Sequence, residues 1–405
     1  LSNNRTAYYT KIQVGTPPQT VTLHVDTGSA DLWYYIPPIF SERLQQRWGY
    51  CVDTFDPDES STYETVDRGG FDITYLDQTG ASGDYFTDNI SLGNSINVTN
   101  VQMGLAEKST NNVGLIGIGY NASVAAASPY PNIIDLLYEQ GLIPTKAYSL
   151  YLNDFHANSG ELLFGGIDTE KFIGELKTIP VIPNNSTGEP IYDHFTVAVT
   201  GVTVGFNSTT TDLLDEPIAA ILDSGTSFTY VPPSMANPIF SLLNVVDDTD
   251  NSGEILVDCA LRSRTDLFLT YQFNGPSGPV VNVSAAELIV DDLQPYIASG
   301  GLELPRGLPF PDERVCRMGI YPTSDHDYLL GDTFLRSAYV VYDLSNNVIG
   351  MAQSNVNATK SNVVEIAAGG TVPLTTGVAT PAAQETSGSQ TTGGGGTSGG
   401  TGTGA

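Results

Sequence analysis

The sequence predicts a mainly β fold built from two similar halves, and three observations carry that reading. Short runs of β-branched and aromatic residues, such as Thr20–Val25, Ile218–Leu222 and Tyr339–Tyr342, are broken by Gly, Asn, Asp and Pro, the punctuation of strands and turns. A seven-residue pattern recurs 197 residues along the chain, a period too long for a solenoid and suited to a duplicated domain. The 405 residues also leave room for two cores, at roughly 100–200 residues each.

Along the chain, the first copy of the pattern is Leu23-His24-Val25-Asp26-Thr27-Gly28-Ser29 and the second is Ala220-Ile221-Leu222-Asp223-Ser224-Gly225-Thr226. Each is followed by an apolar-Gly element, Gly114–Gly119 in the first half and Tyr328–Asp332 in the second. Helical patterns are few: Ile133–Gln140, closed by Gly141, and Met235–Leu243, introduced by Pro232-Pro233-Ser234. From residue 369 onward the chain is almost entirely Gly, Thr, Ser, Ala, Pro and Val, too poor in apolar surface to offset the entropy of ordering. The expected division is therefore an N-terminal lobe at 1–175, a C-terminal lobe at 176–354 and a disordered tail at 355–405.

Charge narrows the function. With 45 Asp+Glu against 16 Lys+Arg and a net charge of −29, the surface repels phosphates, which excludes nucleic acid and anionic membrane surfaces as partners. No run of about 18 apolar residues offers a membrane-spanning helix. The chain opens at Leu1 rather than Met and reads as processed. Nine Asn-x-Ser/Thr sequons, at Asn4, Asn89, Asn97, Asn121, Asn184, Asn185, Asn207, Asn282 and Asn357, point to the secretory pathway and to glycosylation. The three cysteines, Cys51, Cys259 and Cys316, and the four scattered histidines have no metal-like spacing, so neither metal nor cofactor is expected.

In each copy of the pattern an apolar strand ends in Asp, a hydroxyl residue and Gly, which permits a tight turn and puts one carboxylate at a loop tip. If the halves pack about a two-fold axis, Asp26 and Asp223 meet. Two carboxylates a few ångströms apart do not both ionise readily, so one serves as acid and the other as base. Such a pair can deprotonate a water for attack on an amide carbonyl and protonate the developing oxyanion or leaving nitrogen.

These residues carry a resemblance. Val25–Trp33 (VDTGSADLW) resembles the first active-site loop of pepsin-like aspartic proteases, and Ile221–Ser227 (ILDSGTS) is similar to their second. Tyr9–Pro18 resembles the family's opening strand, Phe71–Asp84 its flap hairpin, and Gly331–Ala352 its C-terminal signature. The resemblance, which covers Tyr8 to Ala352, implies a bilobal aspartic endopeptidase of fungal secreted or yapsin-like type, monomeric, cutting peptides or proteins at acidic pH with Asp26 and Asp223 as catalytic residues. It further implies that Ser29 and Thr226 orient the two carboxyls and that Thr27 and Ser224 tie the loops together. Gly28, Tyr75, Leu76, Asp77, Gly225, Thr226 and Ser227 would hold an extended peptide, with Trp33 beneath Tyr75. Cys259 and Cys316 would pair, where relatives have a bridge, leaving Cys51 as a free thiol or the remnant of a lost pair.

Leu76 and Gln78 depart from the pattern, since many relatives have Gly at one of these places, so a stiffened hairpin or changed turn is expected. Two substrate preferences stay open: hydrophobic residues flanking the cut, or basic ones drawn by the acidic chain and Asp77. The tail's small residues at Gly399–Ala405 resemble a glycolipid-anchor attachment region without its hydrophobic tail, so a wall-anchored or freely secreted extracellular enzyme is expected. The alternatives are a catalytically silent binding or inhibitor protein of this fold, or a glycosidase, whose acid and base normally come from dissimilar positions rather than a duplicated motif.

Overall fold

Two eight-stranded sheets, one from each half of the chain, carry the two copies of the repeated pattern. The computed structural model describes residues 1–4, 7–36, 53–93, 96–111, 113–310, 314–373 and 375–377. In the first sheet, Gln19–Asp26 runs parallel to Gly114–Gly117, which runs antiparallel to Leu32–Tyr35. The second repeats this: Ile218–Leu222 is parallel to Tyr328–Leu330, which is antiparallel to Thr229–Val231. The apolar-Gly elements are thus the strands that the aspartate loops pass over. Glycine is required where they cross, because a Cβ on Gly117 would lie 2.7 Å from the Ala30 backbone and one on Gly331 would lie 2.2 Å from the Phe228 carbonyl oxygen.

A six-stranded sheet joins the halves, in the order Glu161–Phe164, Ala147–Tyr151, Ala338–Asp343, Val348–Ser354, Phe172–Pro180 and Thr375–Gly377. On one face, the rings of Tyr148, Phe195 and Tyr342 pack together, and Tyr148 donates a hydrogen bond to the Ile118 carbonyl at 2.9 Å. One apolar cluster runs through both halves, from Val25 to Leu222 and Tyr342.

Both expected helices form. Ile133–Glu139 is capped by Asn132, which exchanges hydrogen bonds with Asp135 in a capping box, and Gly141 follows at φ +70°. Pro233–Leu243 starts at the second of the two prolines and ends at Asn244 in the left-handed region.

The ordered chain continues past Ser354, which corrects the expected tail boundary. Val363–Glu365 pairs with Gly166–Asp168, and Ile366 and Val372 are fully buried against Tyr151, Ile167, Leu176, Tyr339 and Val341 on the outer face of the joining sheet. A few apolar residues in the right places cover a sheet face, and an average over composition conceals them. Residues 378–405, with the anchor-like end, lie outside the described residues, as does Cys51.

Cys259 and Cys316 form a disulfide with Cα atoms 5.0 Å apart, joining the turn Cys259–Ser263 to the strand Val315–Met318. Seven sequon asparagines are exposed; Asn89 and Asn121 are half-buried, and Asn121 donates to the Asp135 carboxyl at 2.8 Å.

Candidate active site

Each aspartate loop folds on itself through its own pattern. The Asp26 carboxyl accepts from the Gly28 N–H at 2.8 Å and from the Ser29 hydroxyl; the Asp223 carboxyl accepts from the Gly225 N–H at 2.8 Å and the Thr226 hydroxyl at 2.5 Å. The loops then lock together. Thr27 donates to the Leu222 carbonyl and Ser224 to the Val25 carbonyl, both at 2.9 Å, while each hydroxyl also accepts the other residue's N–H, at 2.9 and 3.2 Å.

This symmetry brings the two carboxyls face to face. A Cβ on Gly28 would lie 2.5 Å from Asp223 Oδ1, and one on Gly225 would lie 2.4 Å from Asp26 Oδ1, so each carboxyl sits against the other loop's glycine. Burial together with the Asp26 charge pushes Asp223 above the usual carboxylate range.

Over them hangs the hairpin of Glu64–Thr74 and Gly80–Leu92. Its tip is closed by hydrogen bonds from the Gln78 N–H to the Tyr75 carbonyl at 3.0 Å and from the Tyr75 N–H to the Thr79 carbonyl at 2.8 Å. Gln78 takes φ +65°, the left-handed conformation that usually calls for Gly, while Leu76 and Asp77 keep negative φ. The expected change is thus a strained residue within an ordinary turn. Asp77 accepts from the Thr79 N–H and hydroxyl at 2.9 and 2.6 Å, and Trp33 Nε1–H donates to the Tyr75 hydroxyl at 2.7 Å.

A cleft of roughly 1200 Å³ runs between hairpin and loops, lined by both aspartates, Ser29 and every residue expected to hold substrate: Gly28, Tyr75, Leu76, Asp77, Gly225, Thr226 and Ser227. Thr27 and Ser224 lie below, fully buried. The sequence reading missed His24, His194, His326, Asp72, Asp327 and Tyr230, all of which also line the cleft. His24 had a signal, because a residue two before Asp26 in a strand shares its face. Burial pushes its imidazole down to about 4, against the pull of Asp223. Burial also acts to lower His194, but a contact with Asp193 at 3.2 Å outweighs it and raises that ring. Nothing in a linear sequence places His194 or Asp327 beside residues so far from them in the chain.

Comparison with known proteins gives the same architecture. The eukaryotic aspartyl protease family matches residues 7–354. The chain is 38% identical over 392 residues to the probable aspartic-type endopeptidase opsB of Aspergillus oryzae, covering 94% of this chain and 75% of the relative. With candidapepsin-3 of Candida albicans it shares 32% identity over 371 residues, 90% of this chain and 84% of that protein. The crystal structure of the aspartic proteinase from Irpex lacteus superposes with a TM-score of 0.67 at 21% identity, over 89% of this chain and 98% of that one, and so supports the fold. With paired aspartate loops beneath a hairpin and a family match spanning nearly all of the ordered chain, this protein belongs to the eukaryotic aspartyl proteases and is an aspartic protease.

Proposed function

We propose that the chain is a secreted, monomeric endopeptidase that hydrolyses peptide bonds at acidic pH through Asp26 and Asp223. The observation that carries this reading is the face-to-face pair of carboxyls, each oriented by its own loop and crossed by the other's glycine. The pair holds one proton, a property known for this family and carried over here. Its ionised member takes a proton from water as the water oxygen attacks the carbonyl carbon, and its neutral member gives its proton to the carbonyl oxygen. Collapse of that diol breaks the C–N bond and returns a proton to the departing nitrogen. Which aspartate is neutral at rest belongs to the pair, not to either residue. The substrate lies extended between the Leu76–Asp77 backbone and the Thr226–Ser227 backbone, added like a strand, with Tyr75 closing over it.

Of the two preferences, the cleft favours basic residues. Asp72 and Asp77 on the hairpin side and Asp327 opposite them line it, with no Lys or Arg among the described residues. The Asp77 charge also reaches the Tyr230 ring across the cleft, after burial the second cause of its raised hydroxyl pKa. Carboxylates beside an aromatic face suit a cationic side chain. The residues after Gly377 serve as a stalk that holds the enzyme at the cell surface or is carried free. Intact orienting hydroxyls at Ser29 and Thr226 speak against a silent binding protein.

Asp26→Asn and Asp223→Asn should each lower hydrolysis of an acid-denatured protein by about 10³-fold or more while leaving the fold intact by circular dichroism. Full activity in either variant refutes the dyad. Sequencing the ends from a randomised peptide library should show Lys or Arg enriched beside the cut; a purely hydrophobic profile returns the family default.

A further inference from the structure

We propose that Asp31 is a positioning residue for substrate selection, whose buried carboxylate holds the Ser123–Tyr130 wall of the cleft against the Asp26 loop. The proposal rests on the cleft being the peptide site. Asp31 lies five residues after Asp26, where the loop enters the strand Leu32–Tyr35, and it is fully buried. Its carboxyl accepts three hydrogen bonds: from the Tyr85 hydroxyl at 2.9 Å and the Tyr130 hydroxyl at 2.6 Å on one oxygen, and from the Ala125 N–H at 2.6 Å on the other. Burial drives this carboxyl above the usual carboxylate range, and those three donors offset the rise only in part.

The three donors come from two places that matter to substrate. Ser123 and Ala125 line the cleft, and the stretch from Ala125 to Pro129 is largely exposed, so Asp31 grips it at both ends, at Ala125 and at buried Tyr130. Tyr85 belongs to the second strand of the hairpin. Its ring meets Phe71 and Tyr130 edge-on, at 5.4 and 5.7 Å, within an aromatic cluster that includes Trp33, the hydrogen-bond donor to Tyr75. One carboxylate thus stands where the wall and the base of the hairpin join.

The residue type fits this work. A carboxyl offers acceptor sites on both oxygens, and here all three neighbours donate. An amide offers one accepting oxygen and an NH₂ that donates, so Asn sets donor against donor unless the tyrosine hydroxyls turn round. Leu leaves the two buried hydroxyls and the Ala125 N–H without their acceptor. Either change frees the wall, and the cost falls on substrate fit rather than on the dyad, which Asp31 does not touch.

The test is steady-state hydrolysis of two peptide series, varied in side-chain size at each position, by the wild-type chain and by Asp31→Asn, Asp31→Leu and Tyr130→Phe. We expect Asp31→Asn to raise KM about tenfold or more with kcat within about threefold. Discrimination between small and large side chains should relax at one position, and Tyr130→Phe should fall between. Unchanged KM and selectivity in folded Asp31→Asn overturns the proposal, as does a joint fall of kcat and activity that merely tracks the folded fraction. If Asp31→Leu does not fold, Tyr130→Phe and Tyr85→Phe decide by the same readout. A wild-type chain that hydrolyses nothing would instead sink the reading of the cleft itself.

Discussion

Asp332 shows how a single buried carboxyl couples this enzyme to pH. It is fully buried, and neither of its oxygens has a hydrogen-bond partner among the described residues. The nearby Arg336 is committed to Glu287, bonding both its carboxyl and its carbonyl oxygen. Burial raises the Asp332 carboxyl well above the usual range; Arg336 opposes the shift and Asp223 adds to it. Below about pH 4 both folded and unfolded chains hold this proton, and nothing is lost. Above it the unfolded chain releases a proton that the fold retains, so stability falls by at most about 1.4 kcal/mol per pH unit until the folded group ionises too. Burial also raises Asp193 and Asp292, but hydrogen bonds from His194 and Arg314 outweigh it and hold both low, so their contribution is complete above about pH 4 and is lost on further acidification. Stability should therefore peak at mildly acidic pH. Melting curves from pH 4 to 7 should fall less steeply for Asp332→Asn than for the wild type; parallel curves would remove Asp332 as the cause.

At the scale of elements, the hairpin tip joins a sequence anomaly to a backbone cost. Leu76 and Gln78 are visible as departures in the sequence, but which of them bears the left-handed conformation depends on where the two strands close the turn. The structure puts it on Gln78, and leaves Leu76 exposed at an ordinary corner. A non-glycine residue there carries a cost of roughly 1 kcal/mol. Gln78→Gly should raise stability by about 0.5–1 kcal/mol in a denaturant titration and slow hydrogen exchange at the Tyr75 and Gln78 amides; a less stable variant would show that the tip is not strained. The repeated Asp-hydroxyl-Gly turns were legible because their function is local, each carboxyl being oriented by residues two and three positions on. The clamp at Asp31 was not, because its donors lie 54 to 99 residues away.

At the scale of the molecule, the segment after Ser354 belongs to the core even though the family match ends there. Ile366 and Val372 cover the face of the joining sheet turned away from the Tyr148 and Tyr342 rings, and burying two such side chains contributes about 3–6 kcal/mol. A chain ending at Ser354 should melt about 5–15 °C lower than one ending at Gly377 and bind a hydrophobic dye at the uncovered face; equal melting temperatures would make the segment an ornament. The charge of −29 belongs to this scale too. As pH falls towards 4 the exposed carboxylates take up protons and the repulsion among them fades, which fits the proposed activity at acidic pH.

By itself the sequence determined the strand-rich texture, the duplication and the paired Asp-hydroxyl-Gly loops, because each is written in the spacing of neighbours along one chain, while the orienting roles of Ser29 and Thr226 came with the family resemblance. Tertiary structure alone decided that His194 and Asp327 share a cleft with the dyad, that Asp31 gathers donors from distant strands, and that the chain past Ser354 seals the joining sheet. Those facts depend on which surfaces meet when two lobes close on one another, and contacts across a packed interface leave no period in the chain that forms them.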